Sequence, residues 1–304
     1  MKINSITSAL VGLAMASYAA AMPAVGDKID ASSLPSTLSD AVRADLAQRD
    51  PSTYTLYERT DSDSSDLEKR AQVNGLITRC STSRCMSITF DDGPYTSHKN
   101  LVDQFDAAGS KATFFVNGNN FRCIYDKDSV SALRYSYSRG HQICSHTWDH
   151  PDISTLNNQQ LDEQVQLVED ALWKIIGAVP SCIRAPYGNI RDDQVAYLNN
   201  RWGLQVIGWN ADTGDANGDG VDAALNVYRG LKAPKHAIVL NHETVSTTPS
   251  VVIPQALKII KQNGYSGSQT VAATTRFNPY KVVGSYGKRD ASWTCDGKPG
   301  PGQA

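Results

Sequence analysis

Apolar residues along this chain keep two rhythms that take turns. Short unbroken runs predict strands at residues 86–90, 112–116, 142–145, 182–184, 204–207, 237–240 and 270–273. Between them apolar positions recur every three or four residues and predict helices over 99–108, 130–138, 161–176, 192–200, 223–231 and 254–262. In the third of these Leu161, Val165, Val168, Leu172 and Ile176 fall on one stripe, the mark of an amphipathic helix. Gly109, Gly140, Gly177 and Gly203 each follow a helix, where a residue free to turn left-handed ends it. Strict alternation of strand and helix argues for a parallel sheet, and seven such units suggest an α/β fold closed into an irregular (β/α)7 barrel. In such a fold, chemistry collects on the loops that follow the strands.

The pattern breaks at both ends. Met1-Lys2, an apolar and small-residue stretch over 6–21, and Ala19-Ala20-Ala21 before Met22-Pro23 describe a cleaved secretory signal over 1–21. Residues 22–70 carry ten Asp/Glu against six Lys/Arg and few large apolar side chains. By that count they should be disordered, since little buried surface is available to offset ordering entropy. The stretch ends at Lys69-Arg70, a dibasic pair of the kind cut by secretory processing proteases, so 22–70 reads as a propeptide. The remaining 234 residues suffice for one domain with a large core, and the tail over 278–304 is expected to wrap it, anchored by Trp293 and Cys295.

All six cysteines lie after residue 70, an even number that suits disulfides in an exported chain. A bridge from Cys80 or Cys85 to Cys295 is expected, because it would tie the two ends of the domain together. Cys144 and Cys182 can bond or simply pack. The formal net charge of −2 leaves no basic footprint for nucleic acid or an anionic membrane, so neither is expected as a partner, and a soluble monomer is expected.

Asp91, Asp92, His146, Arg184, Asp212 and His242 all stand at or just after predicted strand ends. In Thr89-Phe90-Asp91-Asp92-Gly93-Pro94 two carboxylates sit on opposite sides of a strand end that Gly93-Pro94 turns away. One can bind a metal while the other faces the water beside it; a solvated acidic turn is the alternative. His146 and His150 are four apart, one helical turn, a spacing that lets two imidazoles share an ion. With Asp92 they form a two-His, one-carboxylate set that suits zinc with an open position. Zinc lowers the pKa of a water it binds to about 7.

Five segments in order, Thr89-Phe90-Asp91-Asp92-Gly93-Pro94, Ser145-His146-Thr147-Trp148-Asp149-His150, Arg184-Ala185-Pro186-Tyr187-Gly188, Trp209-Asn210-Ala211-Asp212-Thr213-Gly214-Asp215 and Leu240-Asn241-His242, resemble the motifs of the NodB-like polysaccharide deacetylases, carbohydrate esterase family four. Thr113-Phe114-Phe115-Val116-Asn117-Gly118-Asn119-Asn120 adds a likeness to the secreted fungal chitin deacetylases. The resemblance implies a single catalytic domain over 71–277 and an extracellular or cell-wall enzyme that removes N-acetyl groups from β-1,4-linked N-acetylglucosamine, chitin or its oligosaccharides. It implies Asp91 as general base, and Asp92, His146 and His150 as ligands of Zn2+, with Co2+ or another divalent ion as substitutes. Arg184 would orient Asp91, the Tyr187 backbone N–H would serve an oxyanion hole, His242 would protonate the departing amine, and Leu240 would border the acetyl methyl. Asp212 or Asp215 would raise the His242 pKa.

Ala185 and Ala216 depart from the family pattern, where proline and an aromatic residue are common, and the second change opens one wall of the groove. Trp148 and Trp209 can stack on sugar faces or lie buried under the rim. His98, His141 and His236 have no ligand spacing and are expected on the surface or in structural roles. Residues 215–220 match half of a calcium loop, but Asn226 stands where its final carboxylate belongs, so a polar turn is expected. Acetylxylan or peptidoglycan as substrate, a binding pseudoenzyme, and a proenzyme inhibited by 22–70 remain as alternatives.

Overall fold

The structure is a computed structural model that describes residues 29–57 and 75–301. In chain order the strands are β1 (Tyr54–Leu56), β2 (Leu76–Ile77), β3 (Met86–Gly93), β4 (Thr113–Val116), β5 (Gln142–Ser145), β6 (Ala178–Pro180), β7 (Cys182–Ile183), β8 (Gln205–Ile207), β9 (Ala211–Asp212), β10 (Ala237–His242) and β11 (Tyr280–Gly284). The helices are α1 (Asp40–Gln48), α2 (His98–Ala107), α3 (Lys127–Ser138), α4 (Asn158–Ile176), α5 (Asp192–Trp202), α6 (Gly220–Gly230), α7 (Ile253–Gln262) and α8 (Val271–Thr275).

Eight strands form one curled, wholly parallel sheet in the order β2-β8-β7-β5-β4-β3-β10-β9. The expected α/β barrel is therefore present, and its closure has a particular form. The edge strands β2 and β9 do not pair with each other. Instead three residues, Gly208, Trp209 and Asn210, carry the chain from β8 to β9. On the way Gly208 N–H donates to the Ile77 carbonyl at 2.8 Å and Asn210 N–H to the Ile238 carbonyl at 3.2 Å, so a crossing segment, rather than a strand ladder, spans the gap.

Strands β4 and β5 are buried along their whole length, as expected of central parallel strands covered on both faces. Phe90 stacks on Phe114 with ring centroids 5.4 Å apart and meets Phe105 edge-on at 5.7 Å. Each such ring contributes about 1.5–3 kcal/mol by leaving water. Helix α4 buries all five residues of its expected stripe and opens with an Asn157/Gln160 capping box. It stops at Gly177 (φ 69), where a Cβ would lie 2.4 Å from the Gly284 carbonyl, so both the turn and the approach of β11 demand glycine there.

Three expectations are corrected. Residues 270–273 are not a strand: the Thr270 hydroxyl accepts the Ala273 N–H and caps α8, so local capping outweighed a β-type composition. Cys295 pairs with Cys123 (Cα–Cα 6.0 Å), while Cys80 and Cys85 are buried free thiols. The two thiols sit at the start of β3, whereas the tail runs past the loop that follows β4, at the other end of the sheet. Cys144 and Cys182, left open between bonding and packing, are bonded (Cα–Cα 5.2 Å).

The third correction concerns 22–70. Over residues 29–57 the chain is folded onto the domain, with Leu34, Leu38, Val42 and Leu46 buried and β1 added to a second sheet of order β1-β11-β6. These leucines and valine recur every four residues, the last two of them on α1, so a composition count averaged away an apolar periodicity. The signal over 1–21 and the Lys69-Arg70 pair lie outside the described residues. No helix among the described residues is long and apolar enough to cross a membrane.

Candidate active site

Strand β3 runs regularly to Phe90 and then bulges: its register with β4 shifts between Phe90 and Gly93, and Asp92 adopts φ 70. The bulge overturns the expected placement of the two carboxylates on opposite sides. Asp91 Oδ2 and Asp92 Oδ1 both come within 3.7 Å of His146 Nε2. In the neighbouring strand, His242 lies directly across from Asp91 in the parallel register. Gly93 is required because Glu243 packs where a Cβ would stand, 1.4 Å from its Oε1.

His146 and His150 follow β5 on a loop, not on a helical turn as their spacing suggested. Thr147 (φ 70) and His150 (φ 62) are left-handed, conformations that cost of order 1 kcal/mol or more and must be held by surroundings. The Asn117 side-chain amide donates to the carbonyls of His146 and Thr147, and Gln164 Oε1 accepts the N–H groups of Trp148 (2.8 Å) and Asp149 (3.2 Å).

Asp92, His146 and His150 present ligand atoms that all lie within 4.8 Å of one another. Asp92 Oδ1 is 3.3 Å from His150 Nε2, buried, and without a hydrogen-bond partner. A buried carboxylate oxygen left in that condition is costly unless a cation meets it. His146 Nδ1 lies 2.9 Å from the Arg184 carbonyl, which can only accept, so Nδ1 carries the proton and Nε2 turns a lone pair toward Asp92. Burial pushes both imidazoles down to about 3 and keeps them neutral, as ligation requires; burial also pushes Asp92 up to about 7, a penalty a cation would reverse. The donor set fits a divalent ion.

Asp91 is occupied differently. Arg184, fully buried, donates to its Oδ1 at 2.7 Å and also to Thr89 Oγ1, the Ile207 carbonyl and the Gly208 carbonyl. Burial raises the Asp91 pKa while the charges of Arg184 and His242 pull it down. Its Oδ2 is left for a proton.

His242 Nδ1 meets Asp215 Oδ1 at 2.8 Å, and Asp215 Oδ2 accepts both the His242 backbone N–H (2.8 Å) and the Thr248 hydroxyl (2.6 Å). Burial would lower this imidazole, but the Asp215 hydrogen bond and the charges of Asp91, Asp215 and Asp92 outweigh it and raise the pKa to about 9. Of the two carboxylates considered for this role, Asp215 is in contact; Asp212 is exposed and accepts the Gly214 N–H instead.

Tyr187 (φ 59) stands on a single 3-10 turn, its exposed ring edge-on to His150 at 4.7 Å. Trp209 is half-buried beside Gly188, with the Arg184 guanidinium 5.5 Å from its ring. Leu240 is almost fully buried in β10 beside Thr89. Trp148 is completely buried and donates to the Pro299 carbonyl, so the sugar-stacking alternative falls away for it. His98 and His141 are buried structural residues. His98 joins Glu243 (3.0 Å) to Ser136 (3.0 Å), and His141 joins the Ala112 N–H to Asp106. Glu243, Thr248 and Gln164, which brace the site, went unread in the sequence, and Asn117 was legible there only as part of the 113–120 likeness. The one signal the sequence carries for Glu243 is its adjacency to His242.

The polysaccharide deacetylase family model matches residues 78–207. A chitin deacetylase of Pestalotiopsis sp is 32% identical over 234 residues, which cover 76% of this chain and 74% of that protein. A probable peptidoglycan-N-acetylglucosamine deacetylase of Arthroderma benhamiae is 38% identical over 197 residues, 62% of this chain and 44% of that protein. The chain thus spans less than half the length of that second relative. The solved structure of the chitin deacetylase from the fungal pathogen Colletotrichum lindemuthianum superposes with a TM-score of 0.64 at 28% identity, covering 69% of this chain and 97% of that one.

Proposed function

The chain belongs to the polysaccharide deacetylase family, and on that premise we propose that it is a metal-dependent chitin deacetylase, hydrolysing N-acetyl groups of β-1,4-linked N-acetylglucosamine polymers to chitosan and acetate. The observation that carries this reading is the division of labour between adjacent carboxylates: Asp92 Oδ1 is orphaned between two neutral imidazoles, while Asp91 has one oxygen tied to Arg184 and one free.

Asp92, His146 and His150 would hold the ion, zinc by preference and cobalt as a substitute. Bound there, a divalent ion supplies Lewis acidity, lowering the pKa of water and polarising the acetyl carbonyl. Asp91 Oδ2 would take the proton of the attacking water, and its burial, which raises its proton affinity, suits that task. Arg184 keeps the other oxygen engaged and so fixes which lone pair faces the water. The Tyr187 backbone N–H would donate to the oxygen on which negative charge develops.

Expelling an amine needs an acid, because an amine anion is a very poor leaving group. His242, its pKa held near 9, is protonated at neutral pH. With Nδ1–H fixed on Asp215, it would deliver the proton from Nε2. Leu240 would wall the acetyl methyl, and Trp209 would offer an apolar face to the sugar.

The complete set of Asp91, Asp92, His146, His150, Arg184 and His242 speaks against a binding pseudoenzyme, for which no such acid, base and ligand set is needed. A signal-like start and two disulfides support an enzyme exported to the cell wall or beyond. Measuring acetate released from chitin oligomers, peptidoglycan and acetylxylan tests the assignment. Release from chitin is expected; release from peptidoglycan alone supports the second reading, and release from xylan alone overturns both.

A further inference from the structure

We infer that residues 29–57 are a permanent strap of the folded protein, one that stays seated after any cleavage at Lys69-Arg70, so that the processed protein is a two-chain complex rather than a domain freed of its propeptide.

The surface that receives the strap is built for it. Leu34, Leu38, Val42, Leu46 and Tyr54 close over Trp173, Val179 and Val282 in one buried cluster. Strand β1 continues this contact as a ladder on β11, with Tyr54 opposite Gly284 and Leu56 opposite Val282. Without the strap, an indole and two valines would face water along the open edge of β11, the kind of exposed strand edge that folded proteins cover.

Polar groups make the seat specific. Lys281 is buried against the fully buried Glu169, and two backbone carbonyls accept from its Nζ, that of Trp202 at 3.0 Å and that of Thr37 in the strap at 2.7 Å. Removing the strap would strip one acceptor, the Thr37 carbonyl, from the Lys281 ammonium, and a hydrogen bond to a charged group contributes more than one between neutral groups. Asp45 accepts the Trp173 indole N–H at 2.7 Å, Arg49 donates to the Ser285 carbonyl at 2.8 Å and lies 4.8 Å over the Trp173 ring, and Ser39 bonds Asp170. Arg201 of the domain donates back to the Ser36 carbonyl.

Lys69-Arg70 falls in sequence between the two described stretches, so hydrolysis there breaks none of these contacts. Among the described residues, no hydrogen bond or ion pair joins 29–57 to Asp91, Asp92, His146, His150, Arg184 or His242.

The test is a full-length chain with a site-specific protease sequence inserted after Arg70, cut to completion as judged on a denaturing gel and then run on native size exclusion with mass spectrometry. Both chains should co-elute, and the Tm should stay within a few degrees of the uncut protein. Separation of the chains under native conditions overturns the inference. The cut Leu38→Asp/Val42→Asp variant should release the short chain, and its retention there would also overturn the inference, since the apolar stripe would not be what holds it. Elution needs no turnover, so this result stands apart from the deacetylase reading.

Discussion

Replacing Asp215 with asparagine removes the negative charge beside His242 while keeping a side chain of the same shape. The parent imidazole is raised from 6.5 to about 9 against the opposing effect of burial, a difference of roughly 3 kcal/mol in favour of the protonated form. Asp215 supplies the hydrogen bond to Nδ1 and part of the charge, so its loss lets burial pull the imidazole down against the remaining charges of Asp91 and Asp92, a full return to the ordinary 6.5 being the limiting case. At pH 8 the protonated fraction in that limit falls from nine-tenths to a few hundredths, about a 30-fold drop in any rate that needs the acid. At pH 5.5 the two forms differ by only about 10%. The assay is the pH profile of kcat/KM for acetate release from a chitin oligomer, whose alkaline limb should move to lower pH by at least about one unit. Stability follows the same signs. His242, raised on folding, contributes fully below 6.5 and loses its contribution as pH climbs through about 9, while Asp215, lowered on folding, contributes above 3.8 and loses it as pH falls. The parent's Tm should therefore decline between 6.5 and 9 more steeply than the variant's. A loss of activity equal at every pH, with the alkaline limb unmoved, would refute the assignment of Asp215 and His242 as a coupled acid.

Other perturbations separate the remaining roles. Asp91→Asn should lower turnover by about 10²–10⁴ with bound metal unchanged by elemental analysis, whereas His146→Ala should lose both; metal loss in the first variant would reverse the assignment of the two carboxylates. His242→Ala should depress amide hydrolysis far more than hydrolysis of an activated acetyl ester, because a good leaving group needs no acid; equal losses count against that role. Gly177→Ala should lower stability by about 1–3 kcal/mol in urea titration, since φ is 69 there and the added Cβ would meet the Gly284 carbonyl at 2.4 Å; an unchanged midpoint would mean that β11 does not seat against that turn.

Much of this could be read from residues whose neighbours in sequence are also their neighbours in space. The α4 stripe, its glycine stop and the buried runs of β4 and β5 depend on local periodicity, and they stand where periodicity placed them. Asp92, His146 and His150 were legible as a ligand set because residue type and proximity to strand ends carry that information. Weak or averaged signals were lost. Strands β2 and β9 are two residues each, too short for any period, and the strap's four-residue spacing drowned in an acidic composition.

What the chain alone determined was the alternation of strand and helix, the ends at which chemistry gathers, and the donor types that gather there. Tertiary structure decided which carboxylate serves His242, which cysteine meets Cys295, and that Asp91 and Asp92 converge instead of parting. The reason is physical: each of these depends on contacts between segments far apart in sequence, or on a bulge fixed by a neighbouring strand. Periodicity describes the surroundings of one element and is silent about the register of the next.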